Sequence, residues 1–203
     1  MEVLGTEMVR GHLTYHAQLR VSGGLPLMRV DDRFESWFDV AGLFSRRFKQ
    51  NQRELHFRRN RTYEFYPEER RYERLDSDDQ GPLSTDKPLD DVSILYYART
   101  LPLEVGGRYV LNQYYKEDGN PVVLEVLRRE TVEVPAGTFN TVVVRPIIKT
   151  DGLFGEGGEA EVYFTDDSRR LMVQMRSKVP LVGSLSMHMT SYRPGRPLRS
   201  TAF

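Results

Sequence analysis

The chain is predicted to be mainly β, an antiparallel meander forming a strongly curled sheet or open barrel, with one short helix at about 90–101. Three observations carry this reading. Stretches of alternating apolar and polar residues recur along most of the length, the two-residue period of strands with one face in water. Clusters rich in Gly, Pro, Asn and Asp separate them at short intervals, as turns do. Only one window shows apolar residues at helical spacing behind an acidic cap. With 39% hydrophobic and 29% charged residues, the composition suits sheets solvated on one side. The 203 residues read as a single domain, 1–203, with its core at about 14–193. The N-terminal residues and the basic, Pro-rich tail 194–203 are expected to fray.

The elements follow in order. Thr14 to Val21 reads as a strand, and Ser22-Gly23-Gly24-Leu25-Pro26 as a turn. Leu27 to Phe38 is a longer strand in which Phe34 and Ser36 point one way, Glu35 and Trp37 the other. Leu43 to Lys49, Glu54 to Arg58, Thr62 to Tyr66 and Arg71 to Leu75 are short strands, followed by a polar loop from Asp76 to Asp90. Asp90 and Asp91 open the helix, since a carboxylate there accepts free backbone N–H groups and suits the helix dipole. Ile94, Leu95, Tyr97, Ala98 and Leu101 supply its apolar contacts, and Pro102 stops it after about three turns.

Strands then resume. Gly107 to Tyr115 ends at the hairpin signal Asp118-Gly119-Asn120, and Val122 to Val134 is a long strand. Pro135-Ala136-Gly137-Thr138 is a tight turn with Gly137 placed for positive φ, and Phe139 to Ile148 follows. A Gly-rich connection, Asp151 to Gly158, leads to Glu159 to Thr165. After the turn Asp166-Asp167-Ser168 comes Arg170 to Val179, with Leu171, Val173 and Met175 on one side; Val182 to Tyr192 closes the domain, with Leu185, Met187 and Met189 on one face. The total is roughly eight to twelve strands, with the helix over an end or the concave face.

Charge and chemistry narrow the function. Lys+Arg and Asp+Glu both number 29, so the chain lacks the basic surplus of a non-specific nucleic-acid binder, and no nucleic acid is expected as partner. With no cysteine there are no disulfides, thiolate metal sites or cysteine nucleophiles. No apolar run is long enough to form a transmembrane segment, and Met1 to Thr14 contains no signal-peptide core.

The histidines, His12, His16, His56 and His188, do not fall at a spacing that brings them together on strands, and read as surface residues. Neighbours on a strand face opposite sides, so the pairs Asp31-Asp32, Asp78-Asp79, Asp90-Asp91 and Asp166-Asp167 are not carboxylate dyads by adjacency. The stretch Gly152 to Gly158 lacks the Gly-Lys-Ser/Thr ending of a phosphate loop. From Arg46 to Arg74, arginines interleave with aromatics, but Glu54, Glu64, Glu68, Glu69 and Glu73 among them point to cross-strand ion pairs. No catalytic residue, metal site or cofactor is expected, and the protein reads as non-enzymatic.

The blocks Asp91-Val92-Ser93-Ile94-Leu95-Tyr96-Tyr97-Ala98-Arg99-Thr100-Leu101-Pro102-Leu103, Val105-Gly106, Arg129 to Phe139 and Tyr163 to Arg170, with Asp31-Asp32 and Ser36-Trp37-Phe38-Asp39, resemble the signature segments of a bacterial family called domain of unknown function 3108. The likeness covers about residues 14 to 193. It implies an exported protein of the periplasm or cell envelope; the unreadable signal makes a cytoplasmic location the alternative. It implies no activity and carries over no catalytic residue. A looser likeness in fold is to bacterial lipoprotein carriers, whose curled sheets hold acyl chains.

These readings combine into two expectations. The first is a cell-envelope protein binding a lipid or other hydrophobic ligand in a concave apolar surface. Met175, Met187 and Met189 would line that surface, and Trp37, Tyr96 and Arg99 would stand at its mouth. The second is a structural or assembly module docking another envelope protein.

Overall fold

The computed structural model describes residues 1–25, 28–54, 57–149, 160–179 and 183–196. Among them, thirteen strands form two antiparallel sheets. The first sheet runs in chain order through β1 (Glu2–Val9), β2 (His12–Leu25), β3 (Met28–Asp39), β4 (Ser45–Glu54), β5 (Phe57–Tyr66), β6 (Arg71–Arg74) and β7 (Gln80–Pro82). The connection to the second sheet contains α1 (Ser93–Ala98). The second sheet comprises β8 (Arg108–Leu111), β9 (Val122–Val134), β10 (Gly137–Ile147), β11 (Ala160–Thr165), β12 (Met172–Val179) and β13 (Gly183–His188). Every strand pairs with its sequence neighbour, so this is a meander in two open sheets. A bridge between Leu89 and Tyr114 and a bond from Ser45 N to Pro88 O tie the connection to both halves.

One core fills the space between the sheets. Its members alternate along each strand, so that Ala17, Leu19 and Val21 of β2 and Phe34 and Phe38 of β3 meet Leu124, Val126, Val142 and Val144 of the second sheet. Phe48, Tyr63, Phe65 and Tyr115 form an aromatic cluster, with Tyr115 edge-on to the other three at 5.2–5.7 Å between centroids. Such packing contributes about 0.5–1.5 kcal/mol per pair beyond burial. Ile94, Leu95 and Ala98 turn one face of α1 into this core.

Several expectations change in detail. Residues 2–9, expected to fray, form β1, paired with β2 from Val9–His12 to Glu2–Gln18. The separate short strands expected between 43 and 66 are two long ones, β4 and β5. The helix is α-helical over six residues instead of 90–101. Beyond Ala98 the bonds Thr100 N to Tyr97 O and Leu101 N to Ala98 O span three residues, and the Thr100 hydroxyl also bonds Tyr97 O, so the last turn tightens. The Asp118 signal yields a 3-10 turn, Glu117–Gly119, before a cis Asn120–Pro121 bond. Gly137 does adopt positive φ, at 129°.

One change moves side chains from face to face. Between β11 and β12 the register slips, with Tyr163 opposite Gln174 but Phe164 opposite Met172, leaving Val173 as the extra residue of a bulge. A one-residue slip exchanges faces. Leu171 and Val173 therefore join Val132, Val143 and Tyr163 in a small cluster on the outer face, while Met172 and Met175 face the main core. The expected common face for Leu171, Val173 and Met175 is split by this bulge.

Candidate functional site

The first sheet's outer face carries a connected polar cluster around Trp37. The His16 and Trp37 rings stack at 4.1 Å and 16°. Trp37 Nε1 donates to Glu7 Oε2 at 2.8 Å. His16 Nδ1 lies 2.9 Å from Glu7 Oε1, and Nε2 lies 3.2 Å from Glu35 Oε1. An imidazole donates to both carboxylates only when both nitrogens hold protons. The indole, and then His16, hold the Glu7 carboxyl below the usual carboxylate range. Arg47 sits over the Trp37 ring at 5.5 Å and pairs with Glu64, as does Arg10. These groups pin the edge strand β1 to β2 and β3.

A second cluster is buried at the entry to α1. Asp90 Oδ1 accepts from Val92 N and Ser93 N, both at 2.8 Å, and Oδ2 accepts from Ser36 Oγ at 2.5 Å. Ser45 and Ser93 hydroxyls lie 2.7 Å apart, and both accept from Asp90 N. Asp91 accepts from Tyr114 Oη at 2.6 Å. Burial pushes the Asp90 carboxyl up to about 6, against the pull of its hydrogen bonds. A raised carboxyl is a feature of acid–base sites, but Asp90, Asp91, Ser36, Ser45 and Ser93 are sealed from solvent at 0% exposure. The cluster ends strand-like backbone and starts a helix, the capping role read for Asp90.

The predicted site residues do not converge. Trp37 faces outward, opposite Phe38 on the same strand. Tyr96 packs on Phe38 at 5.0 Å, and burial pushes its phenol up to about 12. Arg99 lies 5.4 Å from the Tyr96 ring and donates to Arg169 O at 2.7 Å, fastening α1 to the β11–β12 turn. Met175 is core, with Met187 its cross-strand partner at the core's margin. Met189 packs against the outer cluster instead. Only Tyr96 with Arg99 and Met175 with Met187 are brought together. His56 and the Gly152–Gly158 stretch lie outside the described residues. Among the described residues, no three His, Asp or Glu side chains are grouped to hold a metal ion.

Among the described residues, the cavity beside α1 is small. Between α1 and the second sheet, Ile94, Leu95, Ala98, Leu124, Val144 and Phe164 line a cavity of about 10 Å³. That is about one water's worth of space, whereas small-molecule pockets measure about 300–1,000 Å³.

Apolar surface is instead exposed at the sheet margin, a feature sequence reasoning missed. Val3 pairs with Ala17, Thr6 with Tyr15 and Met8 with Leu13, so these side chains share the core-side face of β1 and β2. Among the described residues no second-sheet strand covers them at this end: Met8 is 63% exposed, Val3 46% and Leu13 43%, with Leu4 at the bulge 47%. Tyr15, 5.5 Å from Phe38, links the strip to the core. Among the described residues β1 pairs on one side only, leaving the other edge of its backbone open. The signal was present as Val3, Leu4, Met8 and Leu13, but without a strict period.

No curated protein and no solved structure matches the chain. The family model described as protein of unknown function (DUF3108) matches residues 2–190, spanning β1 through the end of β13. The chain belongs to that family.

Proposed function

We propose that the protein is a non-enzymatic binding module of the cell envelope that docks a protein partner along the margin formed by β1 and β2. The observation that carries this reading is the exposed strip of Val3, Leu4, Met8 and Leu13 on an open edge strand. An extended segment with alternating apolar residues matches both features. Its backbone pairs with the free edge of β1 while alternate side chains cover the strip. The densest ionisable clusters are consumed in pinning β1 and capping α1, which supports a binding role over catalysis. The small cavity beside α1 favours docking over the enclosure of an acyl chain there. The envelope location is the one the family resemblance implies.

The test is site-specific photo-crosslinking in the native host. A crosslinker replaces Leu4 in β1, with Val110 of β8, 50% exposed, as the control position. The expected result is one discrete protein adduct from position 4, joined through an extended apolar segment and lost in Met8→Arg. An adduct formed equally from position 110, a lipid adduct alone, or no adduct would refute the reading.

A further inference from the structure

The ion pairs expected to absorb the basic stretch account for only part of it. Arg46 pairs with Asp39 and Glu68, Arg47 with Glu64, Arg71 with Glu69 and Glu73, and Arg74 with Asp76 and Asp79. Arg33, Lys49, Arg53 and Arg58 have no ion-pair partner among the described residues. All four point to the outer face of the first sheet, the face of Trp37 and away from the second sheet. Strand register places them together. Arg33 lies between Arg20 and Asn51, Lys49 between Glu35 and Thr62, and Arg53 directly opposite Arg58. Arg33, Arg53 and Arg58 are exposed.

This arrangement costs stability. Like charges directly opposite on neighbouring strands repel, and the patch holds two such pairs, Arg20–Arg33 and Arg53–Arg58. The nearby carboxylates are already taken. Asp31 is bound to Arg20 at 3.0 Å, and Glu35 lies against His16 at 3.2 Å. A chain of zero net charge thus concentrates unneutralised cations on one face.

We propose that the outer face of β2–β5 is an electrostatic docking surface for the anionic lipid headgroups of a bilayer. Charge complementarity calls for a polyanion, and the placement of the aromatics selects a bilayer over nucleic acid. Phe34, Phe48 and Tyr63, interleaved with these cations, point into the core, and Trp37, on the same face, is covered by the His16 ring, so none is available to stack on a base. Each cation near an anionic surface adds roughly fivefold to partitioning, and the attraction fades beyond a Debye length of about 10 Å in 0.1 M salt.

The test is co-sedimentation of the full chain with vesicles of equal parts phosphatidylglycerol and phosphatidylcholine, against vesicles of phosphatidylcholine alone. Binding is expected to the anionic vesicles only and to weaken steeply with added salt. Arg58→Gln lowers partitioning about fivefold, and Arg33→Gln/Arg53→Gln/Arg58→Gln about a hundredfold. The urea midpoint of the triple variant is expected at or above wild type, because repulsion is relieved. Lys87→Gln, an exposed cation off this face, binds as wild type. Equal binding to neutral vesicles, no binding to anionic ones, unchanged partitioning of the triple variant, or tighter binding to a duplex oligonucleotide at the same salt overturns the proposal. These variants leave the β1–β2 margin intact, so this test and that of the docking function fail independently.

Discussion

Asp90 offers the sharpest test of how the two sheets are joined. Its carboxylate is fully buried and accepts three hydrogen bonds, from Ser36 Oγ, Val92 N and Ser93 N. Burial raises its titration from 3.8 in the unfolded reference to about 6 in the fold. Between pH 4 and 6 the folded protein holds a proton that the unfolded chain has released, so stability falls as pH rises through that window. That rise corresponds to about 3 kcal/mol. Asp90→Asn keeps an acceptor oxygen for the two backbone N–H groups and carries no charge. It should match wild type near pH 4 and exceed it by about 1–3 kcal/mol at pH 7. Asp90→Ala removes the acceptors altogether, leaving a hydroxyl and two N–H groups unpaired. Against Asp90→Asn it should lose about 2–4 kcal/mol at every pH. Urea unfolding followed by the fluorescence of Trp37, the only tryptophan, measures all three proteins from pH 4 to pH 7. An Asp90→Ala protein as stable as Asp90→Asn, or a wild-type-minus-Asn difference that does not change with pH, would refute this reasoning.

Three further outcomes follow from the packing. Among the described residues the buried Tyr115 hydroxyl has no hydrogen-bond partner, so Tyr115→Phe should be neutral or stabilising by about 1 kcal/mol in urea unfolding; a loss of that size would show a partner. Arg128 grips Glu161 through both oxygens at 2.9 and 2.8 Å and holds its carboxyl down to about 2. That stabilisation is present above the unfolded carboxyl's pH of about 4.5 and is lost as pH falls toward 2. For a partly exposed pair, Glu161→Gln should cost about 1 kcal/mol at pH 7 and almost nothing at pH 2, measured by thermal unfolding. Gly137→Ala forces a Cβ into a φ of 129° and should cost about 1–2 kcal/mol, read by the same unfolding assay.

What the sequence disclosed tracks how local the cause was. The alternation of Phe34 and Ser36 inward with Glu35 and Trp37 outward was legible because one face of β3 is core and the other is polar. The Asp90 cap and the Gly137 turn were legible because one residue's chemistry decides each. β4 and β5 looked broken because the stretches Gln50 to Arg53 and Arg59 to Arg61 hold no apolar residue, and the burial of Gln50 is allowed by Asp91, a partner from a distant segment. β1 escaped notice because no side of it is buried except at Val9. The β12 bulge was invisible because register is set by the neighbouring strand. The basic patch was hidden by composition: the glutamates near it in sequence serve other arginines, and only the register shows which cations remain alone.

The account turns on apolar side chains filling the space between two sheets and leaving their surplus at the β1–β2 margin. Native mass spectrometry of the full-length protein after gentle extraction addresses that most directly. The predicted species are the bare chain and the chain bound to a protein partner, with Met8→Arg removing the second. A chain that retains a stoichiometric acyl lipid, and keeps it in Met8→Arg, would contradict the account.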